Sequence, residues 1–461
     1  METKYKPFKR LLPFMGLLLL WVIGKGQDEV QHPDTLLLTM SRSVELARAG
    51  NKNIQRARLQ QQMADETTGI QKDLQTPDFS LHASYARITN LLEYHGSLSK
   101  TETIKAIPDM YELSGNMKVL LYAGKRIKTA IDIATEEASL ARLKNAATGN
   151  DIHIKTIATY LGIYHLQSLQ AVIQERIAEY QQRLKEVQAL KKNGAVTKNE
   201  ILRAQLQLSD MQLSLISNRR NIEIAIQELK TLLNVSEHTQ LVLDTAYLSN
   251  MPLLEQNYEA CLTQAYQKEE MQIARKEETL AQLERKEVKG NYYPTVALFG
   301  SWAYKYPDYM LFPPGPHLYR LGMIGVDATF NLSNLYKNKK HMALANKKVA
   351  DKALETAILQ DEITDQVHKE YVQLQEIKER IPVTETAIQQ AEENYRIVKT
   401  KYLNQLALIT DITDADNALL TARFSNIREK INAQMKYYQL LYATGALQQP
   451  SATSHTLLQQ Q

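Results

Sequence analysis

The chain has 461 residues, and its 55 Lys and Arg against 51 Asp and Glu give a formal charge of only +4. The basic residues alternate with acidic ones, which excludes the positive stripe a nucleic acid requires, and the single cysteine, Cys261, excludes a disulfide framework or a multi-thiolate metal site. Aromatic residues make up 7%, while Gln, Lys, Ala, Leu and Glu fill the long segments, a composition of long helices rather than compact domains.

Residues 1–26 read as a secretory signal: basic Lys4, Lys6, Lys9 and Arg10, an apolar run from Leu11 to Ile23, and small residues at Gly24 and Gly26. No other stretch approaches the roughly 18 apolar residues of a membrane-spanning helix, so contact with a membrane would have to be made by strands. The first structural copy is expected over 27–235. It opens with a helix from Ser43 to Gln75 that Pro77 terminates; strands follow at about 79–89 and 113–122, where apolar and polar residues alternate. A helix from Lys125 to Lys192 comes next, about 68 residues or about 100 Å long. Within it Ile173, Ile177, Tyr180, Leu184 and Val187 follow coiled-coil spacing toward a hairpin tip at about 193–197, and a return helix covers Thr197 to Asn234.

A linker at 236–255 separates this copy from a second, over 256–447. Tyr258 to Lys289 is the incoming helix, Pro294 ends it, and strands are expected at about 295–305 and 321–332. The long helix Lys337 to Asn404 again has about 68 residues, the tip lies at about 404–408, and Thr410 to Thr444 returns. Residues 448–461 form a polar tail. Two ungapped matches support the duplication: Ala64–Tyr85 with Ala281–Trp302, and Lys192–Leu208 with Leu403–Leu419. Gly194 suits a left-handed turn residue at the first tip, and at the second Asn404 is expected to supply that geometry. Each strand is about as long as a tilted transmembrane strand, but four of them close no barrel alone.

The features that invite a chemical reading have ordinary ones. Cys261 on a helix is a small buried filler. Lys337, Lys339, Lys340 and His341 follow the last strand, where basic residues face lipid headgroups or solvent. The segment from Tyr306 to His317 is first of all a stiff, Pro-rich loop; the alternative is an outer loop that narrows or caps a barrel's mouth. No phosphate loop, zinc helix, nucleophile elbow or Cys/His cluster occurs, so no enzyme, cofactor or metal site is expected.

With Pro77 and Pro294, LLYAGKR at Leu120–Arg126, NGAVTKNEILRAQ at Asn193–Gln205 and ITDITDAD at Ile409–Asp416, the mature chain resembles the TolC-like outer membrane efflux family. The resemblance implies a mainly α fold with a small β part: tandem long coiled-coil hairpins plus two β-hairpins, assembled as a homotrimer whose α-barrel continues a shared 12-stranded β-barrel. It implies a passive exit duct in the outer membrane, reaching into the periplasm, in a tripartite efflux or type I secretion system. The partners would be outer-membrane lipid, a periplasmic adaptor (membrane fusion protein) docking at Asn193, Gly194, Asn404 and Gln405, and an inner-membrane pump of RND or ABC type; the cargo is left open. Asp411 and Asp414, three residues apart and so on one helix face, would form the selectivity gate, with Glu200 and Tyr402 as closing contacts. Read without the family, Asp411 is simply an acidic residue in a helix's first turn. Ala407 stands where the family often carries an Arg that ties the gate. The competing reading is a periplasmic coiled-coil adaptor or rod protein, which predicts one hairpin flanked by β-rich domains, or no strands.

Overall fold

The computed structural model describes residues 35–96, 101–194, 196–245, 257–308, 310, 315–404 and 406–448. The expected leader, the second half of the linker, Gln405 and the tail beyond 448 lie outside these residues, as does part of the Tyr306–His317 loop.

Helices dominate. The first half runs β1 (Thr35–Leu38), α1 (Met40–Gly50), α2 (Lys52–Asp73), β2 (Asp78–Arg87), β3 (Leu91–Tyr94), β4 (Thr101–Ile104), β5 (Asp109–Ala123), α3 (Arg126–Lys192) and α4 (Lys198–Leu233). The second runs β6 (Gln240–Leu243), α5 (Tyr258–Ala265), α6 (Glu269–Gly290), β7 (Thr295–Tyr306), β8 (Tyr319–Thr329), α7 (Asn334–Leu403) and α8 (Ile409–Ala443). At 67 and 70 residues, α3 and α7 each extend roughly 100 Å.

Two single helices of the sequence reading are in fact broken. Asn51 separates α1 from α2: its extended backbone ends one helix, while its side-chain oxygen accepts the Asn53 N–H at 2.9 Å and starts the next. The Asn51 amide also donates to Leu232 O at 3.0 Å, locking the break against the end of α4. Between α5 and α6 the break runs from Tyr266 to Lys268, which stands as far after Asn51 as Ala281 does after Ala64, but starts α6 without a side-chain cap. Conversely, α7 continues through Pro382, although the ring removes an N–H from the helical ladder.

Four strands form one antiparallel sheet in the order β2-β5-β7-β8. Further strands that the sequence reading lacked are a β3–β4 hairpin beyond β2 and β5, and a parallel pair β1–β6. The Tyr160 hydroxyl of α3 reaches Leu38 O and Asp244 O, at 2.9 and 2.6 Å, at the end of that pair, beside the largest apolar cluster (Leu38, Ile157, Leu161, Leu229). The strand-to-helix turn of LLYAGKR places Gly124 and Lys125 at φ 61° and 65°. A Cβ on Gly124 would lie 2.4 Å from Gly290 O, so only glycine lets the two sheet-to-helix junctions meet.

The helices form a row. On the sheet side the neighbours run α2, α3, α6, α7; toward the tips they run α4, α3, α8, α7. One long helix from each half thus lies beside two shorter ones stacked end to end.

Candidate membrane face and channel gate

Residues directly opposite in an antiparallel sheet share a face, so register decides what each face presents. Leu81 pairs with Gly115 and through it with Trp302; Phe79 with Met117, Gly300 and Ile324; Val119 with Leu298 and Val326. One face is therefore apolar, and Leu81, Ile324 and Val326 are exposed on it by 75%, 76% and 63%. At its far end Tyr85, Tyr111 and Tyr306 stack across three strands, with ring centroids 5.3 and 5.6 Å apart. The other face carries Ser80, Asn116 and Ser301 in register, Asp327 opposite Ala297, and a Lys305–Glu112 ion pair at 3.2 Å.

At the other end of the long helices lie the two hairpin tips. Gly194 turns with φ 75°, as its residue type requires. Asn404 corrects the expectation placed on it: its φ is −90°, not left-handed, and its amide caps the helix by donating to Thr400 O at 2.9 Å. Asn193 ends α3 and remains exposed. Tyr402 is buried, and its hydroxyl donates to Glu200 Oε2 at 3.2 Å, joining α7 to α4. Burial first, and the Glu200 charge second, push the Tyr402 phenol up to about 12, so it stays a donor. Ala407 packs into the small apolar cluster of Tyr402, Ile409 and Ile412.

Asp411 and Asp414 are both exposed in the single chain. Asp411 Oδ2 accepts the Leu408 N–H at 2.8 Å, so this carboxylate also caps α8. Asp414 has no hydrogen-bond partner among the described residues, which leaves its charge open to solvent.

The most deeply buried charged cluster escaped the sequence reading. Asp416 is fully buried, Arg176 is 1% exposed, and the two make an ion pair of 2.9 Å; Arg183 stands 3.4 Å from the other Asp416 oxygen. Arg176 and Arg183 interleave with the coiled-coil positions Ile173, Tyr180 and Val187 on the buried side of α3, where Ile177 and Leu184 are only half-buried. The signal was the start of α8, where Ile409, Ile412 and Asp416 of the ITDITDAD run and Leu419 just after it are spaced as one buried stripe with a carboxylate in it.

Other singled-out groups behave plainly. Cys261 is buried beside Ala265 and Met271, and burial pushes its thiol up. Lys337, Lys339, Lys340 and His341 are exposed at the start of α7.

Residues 43–235 match the outer membrane efflux protein family. No curated protein matches the chain by sequence. Among solved structures the chain is similar to the outer membrane protein VceC of Vibrio cholerae, with TM-score 0.74 and 18% identity over 88% of this chain and 96% of that one. The CmeC outer membrane channel of Campylobacter jejuni gives 0.75 and 15% over 88% and 86%. The open MtrE outer membrane channel of Neisseria gonorrhoeae gives 0.72 and 15% over 88% and 89%. Proteins of the matched family are channels, not enzymes. Residues 43–235 thus match the outer membrane efflux protein family, and 88% of the chain shares the fold of these solved outer-membrane proteins.

Proposed function

We propose that the chain is one subunit of a homotrimeric exit duct that crosses the outer membrane by a shared 12-stranded barrel and reaches through the periplasm to a gate at its helical tips. The observation that carries this reading is the sheet. It has one apolar and one polar face, and among the described residues β2 and β8 are unpaired on their outer edges, which suits closure by further copies of the chain. The helix row is open in the same way. Its end helices carry exposed apolar stripes, Leu59, Met63 and Ile70 on α2, Leu202, Leu206 and Leu213 on α4, and Leu344, Leu354 and Ile358 on α7. Copies that close the sheet into a barrel would bury these stripes as well, and the family resemblance supports three copies.

Val326 lies on the apolar face and Thr329 on the other. An Arg facing lipid at mid-membrane costs about 2–4 kcal/mol. Val326→Arg should abolish the heat-modifiable trimer in outer-membrane fractions, whereas Thr329→Arg should assemble; equal assembly contradicts the proposed faces.

The tips around Asn193–Gly194 and Asn404–Gln405 are proposed to dock a periplasmic adaptor that couples the duct to an inner-membrane pump, since they are the ends farthest from the sheet. Photo-crosslinkers at Asn193 and Asn404 should capture a periplasmic protein. Capture only from the vicinity of Ser236 moves that interface to the linker.

A further inference from the structure

Asp416 is held entirely by the other half of the chain. It sits on α8, and its two cations come from α3: Arg176 Nη1 donates to Oδ1 at 2.9 Å and Arg183 Nη1 approaches Oδ2 at 3.4 Å. Arg176 also donates to Glu179 Oε2 at 2.6 Å, which offsets the second positive charge. Arg183 Nη2 donates to the Tyr395 hydroxyl of α7 at 2.7 Å, and its guanidinium stands 5.4 Å from the centre of the Tyr180 ring. One buried site therefore ties both helices of the second hairpin to the long helix of the first. Helical geometry links it to the candidate gate. At about 100° per residue, Asp414 and Asp411 both fall within about 40° of the side of α8 directly opposite Asp416. Holding Asp416 against α3 aims both exposed carboxylates away from α3.

We infer that Arg176, Arg183 and Asp416 are positioning residues of the gate: a buried clasp that fixes the rotation and lateral position of α8, and so the placement of Asp411 and Asp414, and that must part when the tip widens. The inference rests on the proposed reading of Asp411 and Asp414 as the gate. A clasp of charge differs from an apolar contact in how it fails. Apolar side chains slide with gradual loss, whereas a buried carboxylate that leaves its guanidinium exposes two unpaired charges at once, giving two discrete states. Its neighbours Ile412 and Leu419 are buried and apolar, so packing alone does not demand a carboxylate at 416.

The test is closed-state conductance of the purified trimer in planar bilayers, with trimer heat stability measured in parallel. Asp416→Asn keeps the shape and removes the charge; it should raise closed-state current by about tenfold or more, as a shift of one decade in the closed-to-open equilibrium. Asp416→Glu, which retains the charge, should restore most of the closed behaviour. Wild-type current in Asp416→Asn, with or without lower heat stability, makes the cluster merely structural and overturns the inference. Where Asp416→Asn fails to assemble, Arg183→Lys decides, because it keeps the charge but loses the fork that reaches both Asp416 and Tyr395: a raised current supports the clasp and an unchanged one overturns it. Asp411→Asn with Asp414→Asn, assayed alongside, separates the two readings. If that variant loses cation preference while the clasp variants behave as wild type, the gate stands and the clasp falls; if it too behaves as wild type, the gate reading falls and takes the clasp with it.

Discussion

Near their tips the two hairpins of this chain are built from opposite materials. Between α3 and α4, Ile173, Tyr180 and Met211 are buried with Ile177, Leu208 and Leu215 packed around them. At the same height between α7 and α8, the facing residues are Thr384, Ala387, Ala391, Ala418, Thr421 and Ser425, which border a groove of about 750 Å³. Polar links cross that second seam: Asn426 Nδ2 donates to Thr384 Oγ1 at 3.0 Å, Arg423 Nη2 to Glu392 Oε1 at 2.9 Å and Arg380 Nη2 to Glu429 Oε1 at 3.0 Å. The seam of the first hairpin is thus apolar, with Leu420 and Phe424 of α8 packed against it, whereas the matching stretch of the second is bridged by polar links and turns apolar only at its tip, around Tyr402, Ile409 and Ile412. Apolar burial resists separation in proportion to area, whereas part-exposed polar bonds such as Arg423–Glu392 can be exchanged for bonds to water, which leaves the buried Asp416 as the contact that holds the second hairpin in place. In a duct with a gate, the second hairpin is the one whose packing permits movement.

Replacing a seam residue in each hairpin gives the largest contrast. Ile173→Ala leaves a cavity in a packed seam and should destabilise the helical region by about 2–5 kcal/mol. Thr421→Ala, beside an open groove, should change stability by less than about 0.5 kcal/mol. Thermal unfolding followed by circular dichroism compares them, and similar losses would erase the distinction drawn between the hairpins. The tips offer a smaller one. Gly194→Ala forces a Cβ into left-handed backbone and should cost about 1–2 kcal/mol, whereas Asn404→Ala, at φ −90°, loses only an exposed cap bond worth about 0.5 kcal/mol. An equal cost at the two tips would mean that the second turn is as constrained as the first.

The mainly helical fold was legible because apolar spacing over dozens of residues leaves little choice, and the strands because a proline precedes each change of period from helical to alternating. What local patterns hid were features fixed from far away. Gly50 and Asn51 carry a helix stop and a cap, yet the periodicity runs through them; the contact with Leu232 turns the signal into a break. Pro382 is the reverse case, a local breaker that neighbouring helices override. The β1–β6 pair joins a four-residue segment at the start of the first copy to one in the linker that follows it, both too short to show alternation. Of the candidate site, the tips were legible from the coiled-coil spacing and the turn residues, whereas their docking role and the Tyr402–Glu200 pairing came from resemblance, and Asp411 serves its local capping role whatever else it does. Asp416 stayed hidden because a carboxylate in a buried stripe reads as an interruption until Arg176, 240 residues away in the chain, is set against it.

The central claim is that Asp411 and Asp414, presented by the more loosely packed hairpin, are where the duct closes. In a trimer six carboxylates would face one axis, so the closed pore should prefer cations and be blocked by multivalent ones. Single-channel recording in planar bilayers tests this with Asp411→Asn and Asp414→Asn combined, which removes the charge and nearly keeps the shape. The double variant should lose both cation preference and block by multivalent cations while remaining a trimer; retention of both properties would assign the aspartates to the end of α8 alone and contradict the gate.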